Sequence, residues 1–319
     1  MLIDSFSRII NYLRISVTDR CNLRCLYCMP KENFNWIPHE DVLRYEELIF
    51  LCRIFADLGI KTVRVTGGEP LVRCGIIEFI KELKKINNIS HVSMTSNGIL
   101  LSEYLPALAG IGLNSVNISF DTMDKDKYER LTGSAGGFEK ILPAIDQALT
   151  LGLEVKINCV PLLDFNEDDI PKITSLAKDK NITVRFIELM PMGPAINLQP
   201  LPINETISII EKNFGKMKPA AENPGSGPAS YFTLPGFSGS IGLINVSRNF
   251  CKSCNRLRLT SSGLLKPCLS DNLNLNLRSL IRNKTSVDEI TKMILELVKQ
   301  KPALYNFNKT ENEMFSTGG

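Results

Sequence analysis

The stretch LRISVTDRCNLRCLYC, residues 13–28, joins an apolar segment to three closely spaced cysteines. Its first part, residues 13–18, is rich in apolar and β-branched side chains, which predicts a β-strand. Five further runs of this kind follow along the chain, at residues 62–67, 91–97, 115–121, 154–160 and 182–190. The cysteines therefore come directly after the first of six similar strands.

Amphipathic stretches separate these strands. They include residues 44–58, 76–86, 138–151 and 167–178, in which apolar residues recur at helical spacing. Strands that alternate with helices form a parallel sheet. Eight such units close a full barrel, so six predict an open, partial (β/α)6 TIM-like barrel of the α/β class. A doubly wound flat sheet is the alternative.

The composition is that of a folded chain. Of its 319 residues, 44% are hydrophobic and 22% are charged, which leaves enough apolar material for a sizeable core. No run reaches about 18 uninterrupted apolar residues, and the N-terminus does not resemble a secretory signal. We therefore expect a cytoplasmic protein without a membrane partner. The net charge of +3 does not by itself indicate nucleic acid, and no nucleic-acid partner is expected.

The composition changes after about residue 191. Segments rich in Pro, Gly and Ser follow, with short strand-like pieces between them. This change predicts a barrel domain over residues 1–216 and a smaller C-terminal α+β unit over residues 217–319. A final helix is expected at residues 287–300, and a polar, mobile tail after it.

Cys21, Cys25 and Cys28 form a first group of thiols. Three thiolates at this spacing can hold three irons of a four-iron cluster and leave the fourth iron open. A structural zinc site needs a fourth ligand, and no His or Cys follows before His39. A partial zinc site and three core thiols are the alternatives. The odd total of nine cysteines argues against a disulfide framework.

Cys251, Cys254 and Cys268 form a second group near the other end of the chain. They again offer three thiols without an obvious fourth ligand, which favours a second cluster whose open iron could meet a substrate. A zinc ribbon, which normally has two CxxC pairs, is the alternative interpretation.

The residues around the second group are basic. Residues 223–270 contain no Asp or Glu, but they contain five Lys and Arg residues. Arg256 and Arg258 alternate within the strand-like segment NRLRLT, so their side chains project to one face. Two guanidinium groups on one face suit a polyphosphate, because each can donate two parallel hydrogen bonds. A solvated basic strand that offsets the charge of a cluster is the alternative.

Strand parity predicts what the inside of the barrel contains. Alternate residues of a strand face opposite ways, and the polar residues of each strand share one face. They are Arg64 and Thr66, Thr95 and Asn97, Asn117, Ser119 and Asp121, and Lys156 and Asn158. Because ordinary barrel cores are apolar, buried cations at Arg64 and Lys156 predict an anionic ligand. Alternatively, one of them pairs with Asp121 or Glu188.

The motifs resemble those of a known family. CNLRCLYC resembles the signature of the radical S-adenosylmethionine superfamily, and TGGEP at residues 66–70 is a second mark of that superfamily. Glycines there are expected to let the main chain approach a ligand closely. Over nearly its whole length the chain is similar to the GTP 3′,8-cyclase family, also called molybdenum cofactor biosynthesis protein A. The motifs are CNLRCLYCMP, VRVTGGEPL, SMTSNG, VNISFD, GSGPASYF and CKSCNRLRLTSSGLLKPCL.

The resemblance implies roles for residues at matching positions. Cys21, Cys25 and Cys28 would hold the radical-generating 4Fe–4S cluster, and Cys251, Cys254 and Cys268 would hold an auxiliary 4Fe–4S cluster that binds guanine. Tyr27, Gly68, Ser119 and Met190 would contact S-adenosylmethionine. Arg14, Arg64, Thr95, Lys156, Arg256, Leu257 and Arg258 would contact GTP, with Arg185 as a further candidate. Gly318 and Gly319 resemble the double-glycine tail of the family.

The resemblance also implies a reaction. A 5′-deoxyadenosyl radical would take hydrogen from ribose C3′, and the C3′ radical would attack C8 of guanine. Reduction and a proton would yield 3′,8-cyclo-7,8-dihydro-GTP, in the first step of molybdenum cofactor biosynthesis. An external electron donor and a downstream cyclic pyranopterin monophosphate synthase would be partners, and a homodimer is one assembly that the resemblance allows. A radical enzyme that acts on a peptide and a zinc-ribbon nucleic-acid-binding protein are the alternatives.

Overall fold

Six parallel strands form the centre of the fold in the computed structural model, which describes residues 1–30, 35–221, 227, 229–245, 251–305 and 317. A short hairpin of β1 (Leu2–Ile3) and β2 (Ile9–Ile10) precedes them. The six parallel strands are β3 (Tyr12–Ser16), β4 (Thr62–Thr66), β5 (His91–Ser96), β6 (Ser115–Ser119), β7 (Glu154–Cys159) and β8 (Thr183–Ile187). Each pairs in parallel with the next. All six predicted strands are therefore present.

Helices connect the strands along the chain. They are α1 (Tyr45–Asp57), α2 (Ile76–Lys84), α3 (Leu101–Gly110), α4 (Lys125–Thr132), α5 (Phe138–Thr150), α6 (Ile170–Ser175) and α7 (Ile203–Phe214). The helix predicted at residues 167–178 is shorter than expected, because a 3-10 turn at Glu167–Asp169 precedes it. Pro171 explains this start, since proline is tolerated in the first turn of a helix but not in its interior.

The strands after residue 217 extend the same sheet at both edges. They are β9 (Lys218–Pro219), β10 (Ser230–Thr233), β11 (Ser240–Ile244), β12 (Arg256–Leu259), β13 (Leu264–Lys266) and β14 (Leu275–Asn276), followed by α8 (Leu277–Arg282) and α9 (Val287–Lys299). The strand order is β14-β13-β12-β3-β4-β5-β6-β7-β8-β11-β10-β9, with β12 parallel to β3 and β11 parallel to β8. The partial barrel is confirmed, and the division at residue 217 stays a prediction.

The outward faces of the strands form the core. Val63 and Val65 of β4 are fully buried, as are Val116 of β6 and Ile157 of β7. These side chains belong to one continuous apolar cluster with the helices. The opposite face of each strand is left to polar residues, as parity predicts. Among the described helices, none has the length and apolar content that crossing a membrane requires.

Candidate active site

A cavity of about 590 Å³ occupies the inside of the barrel, a size typical of small-molecule sites. Cys21, Cys25 and Cys28 line one end of it, and Thr62 and Glu154, the first residues of β4 and β7, line the other. The polar residues that parity assigns to the inside all line it: Arg64, Thr66, Thr95, Asn97, Asn117, Ser119, Asp121, Lys156 and Asn158. That prediction is confirmed.

The first group of cysteines follows β3, at the carboxyl end of the parallel strands. Burial raises the pKa of the Cys21 thiol to about 11. Burial, Cys28 and Asp121 raise the pKa of Cys25 as well. Within the described ranges, no three His, Cys, Asp or Glu side chains are arranged to hold a single metal ion. The thiols border one end of the cavity, and their soft sulfur ligands fit an iron–sulfur cluster.

Gly68 holds the cysteine loop against the loop that follows β4. Its N–H donates to Thr18 O at 2.7 Å, and the N–H of Glu69 donates to Arg20 O at 2.8 Å. A Cβ at Gly68 would lie 2.3 Å from Arg20 O. The group that approaches this glycine closely in the structure is the main chain of Arg20. Gly68 does line the cavity, and its contact with S-adenosylmethionine stays a prediction.

Glu69 connects the ends of β4 and β5 from a fully buried position. Its carboxylate accepts hydrogen bonds from Leu71 N at 3.1 Å, Ser96 Oγ at 3.0 Å and Asn97 N at 2.7 Å. Burial raises the pKa of Glu69 to about 7, against the opposing effect of these hydrogen bonds. The carboxylate therefore positions two loops that border the cysteines.

Tyr27 and Asp121 form a hydrogen-bonded pair beside the first cysteines. Tyr27 OH donates to Asp121 Oδ2 at 2.7 Å, and Val160 N donates to Asp121 Oδ1 at 2.7 Å. Burial raises the pKa of Asp121 to about 6. Tyr27, Ser119 and Met190 all line this end of the cavity, as does Asp121. Their expected contacts with S-adenosylmethionine stay predictions.

Six cationic side chains also line the cavity. They are Arg14, Arg64, Lys156, Arg185, Arg256 and Arg258. Burial and Arg64 lower the pKa of Arg185 to about 10, and burial and Arg256 do the same for Arg258. Among the described residues, Arg64 Nη1, Arg185 Nε and Thr95 Oγ1 have no hydrogen-bond partner although they are buried. Such groups are costly unless a ligand pairs with them, so the wall fits an anion.

Three of these arginines stand side by side. Arg258 of β12 is the register partner of Arg14 of β3, and Arg14 is the register partner of Arg64 of β4. Burial lowers the pKa of Arg14 well below its ordinary value, and Arg258 and Arg64 lower it further. Like charges at neighbouring positions repel one another, and negative charge placed over them would offset that repulsion.

Sequence reasoning missed two residues of this wall. Lys156 Nζ forms an ion pair of 2.7 Å with Glu154 Oε1, a partner that was not expected from the sequence. Tyr12 accepts a hydrogen bond from Arg64 Nε. Although burial raises the pKa of Tyr12, Arg64 and Arg14 lower it to about 8 overall. Glu154 lies two positions before Lys156, and Tyr12 lies two positions before Arg14, so each shares a strand face with a predicted site residue. Their place in the cavity wall could therefore have been predicted from the sequence.

Leu257 differs from the other expected GTP contacts. Its side chain is fully buried in the apolar cluster of the core, whereas Arg256 and Arg258 on either side line the cavity. The alternation of β12 explains this difference, because neighbouring residues of a strand face opposite ways. The expected GTP contact of Leu257 therefore concerns only its main chain and stays a prediction.

The second group of cysteines lies beside the amino end of β12. Cys251 is buried, and the charges of Cys268 and Cys254 act on it. Burial raises the pKa of Cys254, but Arg256 and Lys301 lower it to about 6 overall. Three thiols within electrostatic reach of one another, surrounded by cations, fit a thiolate-bound cluster. Gly318, Gly319 and Arg248 lie outside the described residues.

A partial parallel barrel with three thiols at the mouth of a polar lumen defines a radical S-adenosylmethionine protein. The family profile described as Radical SAM superfamily matches residues 15–177, and the profile described as Molybdenum Cofactor Synthesis C matches residues 182–307. The chain belongs to the GTP 3′,8-cyclase family of that superfamily. Members of this family carry two 4Fe–4S clusters.

Curated relatives match nearly the full chain. The GTP 3′,8-cyclase of Petrotoga mobilis is 42% identical, over 97% of this chain and 96% of that protein. The GTP 3′,8-cyclase of Alkaliphilus oremlandii is 43% identical, over 99% of this chain and 98% of that protein. The GTP 3′,8-cyclase of Clostridium perfringens strain 13 is 40% identical, over 99% of each.

Solved structures share the fold at low identity. The crystal structure of Streptococcus suis SuiB bound to S-adenosylmethionine has a TM-score of 0.62 and 14% identity, over 89% of this chain and 66% of the SuiB chain. The crystal structure of methylornithine synthase has a TM-score of 0.50 and 18% identity, over 66% of this chain and 64% of that one. At these identities the likeness shows the fold alone.

Proposed function

We propose that this chain converts GTP into 3′,8-cyclo-7,8-dihydro-GTP, the first step of molybdenum cofactor biosynthesis, with S-adenosylmethionine and two 4Fe–4S clusters. One observation carries the proposal: a single cavity is bordered by three thiols at one end and lined by six cationic side chains. Family membership over almost the whole chain supports it. The arrangement suits a polyphosphate substrate held next to a radical source.

The cofactor end of the site combines thiols with main-chain and side-chain contacts. Cys21, Cys25 and Cys28 would hold a cluster that, with bound S-adenosylmethionine, would supply one-electron chemistry and a hydrogen-abstracting radical. The residues proposed to contact S-adenosylmethionine are Tyr27, Gly68, Ser119 and Met190. Gly68 fixes the loop after β4, and Asp121 fixes the Tyr27 hydroxyl. These contacts hold the cofactor in one orientation.

The substrate end would bind the triphosphate. Arg14, Arg64 and Arg258 form one row across three neighbouring strands, and Lys156 lines the same cavity. Guanidinium groups donate paired hydrogen bonds to phosphate oxygens, so a triphosphate over this row relieves their mutual repulsion. With the phosphates fixed there, the ribose lies between the row and the first cysteines. Holding ribose C3′ within reach of the radical is the contribution of the protein to the rate.

The second group of cysteines would hold the auxiliary cluster. Cys254 precedes Arg256 by two residues, and Arg256 lines the cavity. A cluster at Cys251, Cys254 and Cys268 would therefore border the substrate and take the guanine ring at its open iron. The proton and electron that complete the product must both reach this end of the cavity.

The partners are part of the proposal. An external electron donor would reduce the cluster at the first cysteines. A cyclic pyranopterin monophosphate synthase would take the product. Assembly as a homodimer and a cytoplasmic location, both expected from the sequence, stay predictions.

Single cysteine variants test the assignment of the two groups. Cys25→Ala should abolish cleavage of S-adenosylmethionine, because two thiolates do not hold the cluster properly. Cys268→Ala should leave part of the cleavage intact but stop formation of the cyclic product. Cys74→Ala is the matched control, since this cysteine is exposed and belongs to neither group. Cyclic product from Cys268→Ala, measured by mass spectrometry, would contradict the auxiliary role.

A further inference from the structure

Lys301 joins the two loops that carry Cys254 and Cys268. It lies two residues after the end of α9 and is 2% exposed. Its ammonium group donates hydrogen bonds to Arg256 O, at 2.9 Å, and to Pro267 O. Arg256 comes two residues after Cys254, and Pro267 immediately precedes Cys268. One buried side chain near the end of the chain therefore holds both loops together.

Arg8 makes a comparable contact with the third cysteine. Its Nη1 donates to Cys251 O at 2.7 Å, and its Nη2 donates to Pro302 O at 2.7 Å. Its Nε forms an ion pair of 2.5 Å with Asp4 Oδ2. The charge of Arg8 is therefore offset by a carboxylate inside the N-terminal hairpin.

Lys301 differs from Arg8 in its charge balance. Within the part of the chain that the structure describes, no carboxylate forms an ion pair with its ammonium group. The negative groups that act on it are Cys254 and Cys268. A buried ammonium ion is unfavourable without an opposite charge. Protonated thiols carry no charge, whereas thiolates that bind iron do, so a cluster at these cysteines would supply negative charge beside the two carbonyl acceptors of Lys301.

The first group of cysteines has mixed surroundings. Glu69 and Arg24 have opposite effects on the pKa of Cys21, and Asp121 raises the pKa of Cys25. Reduction adds negative charge to a cluster, so a nearby cation favours the reduced state and a nearby anion disfavours it. The two cysteine groups are therefore placed in electrostatically different sites.

We propose that Lys301 is a positioning residue of the C-terminal cluster, which ties its cysteine loops together and raises its reduction potential through a buried positive charge. This inference rests on the proposed function, because it needs iron at Cys251, Cys254 and Cys268. A protein sets the reduction potential of such a cluster partly through nearby charges and hydrogen bonds.

The test isolates the C-terminal cluster in the full-length chain. In a parent chain that carries Cys21→Ala, Cys25→Ala and Cys28→Ala, only the second group can be reconstituted with iron. Iron content and the midpoint potential, from a redox titration followed by electron paramagnetic resonance, are then measured for three variants of Lys301. Lys301→Gln keeps hydrogen bonding without the charge, Lys301→Arg keeps the charge, and Lys301→Met keeps neither. Lys299→Gln, at an exposed position of α9, is the control.

We expect Lys301→Gln to bind iron at a more negative midpoint potential than the parent. Lys301→Arg should return the potential toward that of the parent, Lys301→Met should also lose iron, and Lys299→Gln should change nothing. Full iron in Lys301→Gln at the parent potential would overturn the inference, as would equal loss of iron in Lys301→Gln and Lys301→Arg. A parent chain that binds no iron would instead overturn the proposed function together with this inference.

Discussion

At the scale of single residues, the row of Arg14, Arg64 and Arg258 is the most informative feature of the site. Three guanidinium groups on neighbouring strands repel one another, and burial lowers the pKa of Arg14 and Arg258. A core built for stability alone would not place them together. Their position is explained by a ligand with several negative charges, which is the property that separates GTP from an uncharged substrate.

The basic strand provides a direct test of triphosphate binding. Arg256→Ala combined with Arg258→Ala should weaken GTP binding by about 2–5 kcal/mol, if both side chains contact phosphates. Equilibrium dialysis with GTP measures the loss. Arg53→Ala, at an exposed position of α1, is the control and should bind GTP normally. Unchanged GTP binding in the double variant would mean that the triphosphate does not bind at β12.

Glu69 should make the stability of the iron-free chain depend on pH. Its pKa is raised from 4.5 to about 7 in the folded state, so the folded chain holds this proton more tightly than the unfolded chain. The corresponding stability is fully present below pH 4.5 and is lost as the pH rises through 7, by about 3 kcal/mol.

Glu69→Gln removes the titrating group at nearly constant shape. Urea unfolding at pH 4.5 and pH 7.5 should show a smaller pH-dependent loss in this variant than in the unchanged chain. The same loss in both chains would mean that Glu69 stays ionised in the folded state.

At the scale of elements, strand parity was sufficient to predict the polar face of the barrel. On β7, Lys156 and Asn158 line the cavity, whereas Val155 and Ile157 are buried in the core.

Helix length was harder to predict from periodicity. The apolar pattern of residues 167–178 continues past the point at which α6 ends, because periodicity reports a buried face and does not report where hydrogen bonding stops.

The loop after β4 offers a test at the same scale. Gly68→Ala should destabilise the fold by roughly 1–3 kcal/mol and weaken S-adenosylmethionine binding, because the new Cβ meets a rigid carbonyl at Arg20. Thermal unfolding and cofactor binding measure the two effects.

Gly110→Ala is the matched control for that substitution. Gly110 ends α3, and a Cβ there would meet nothing within 4 Å. This variant should be as stable as the unchanged chain or slightly more so. A Gly68→Ala chain of unchanged stability would contradict the close contact between the two loops.

At the scale of the whole molecule, the sequence predicted the barrel and its cysteines but not how the two ends of the chain meet. β12 pairs with β3, and Lys301 contacts carbonyls at Arg256 and Pro267. Contacts of this kind depend on register between distant segments, which local periodicity does not report. Leu257 is a different case, because the family motif suggested a GTP contact there, whereas the alternation of β12 already directs its side chain away from the cavity.

Anaerobic reconstitution with iron and sulfide, followed by turnover with S-adenosylmethionine, dithionite and either GTP or ATP, tests the two cluster sites and the substrate together. We expect roughly eight irons per chain, as two four-iron clusters require, and 5′-deoxyadenosine that forms with GTP and not with ATP. Eight irons with no dependence on the nucleotide would contradict the proposed substrate. Zinc in place of iron would contradict the radical chemistry itself.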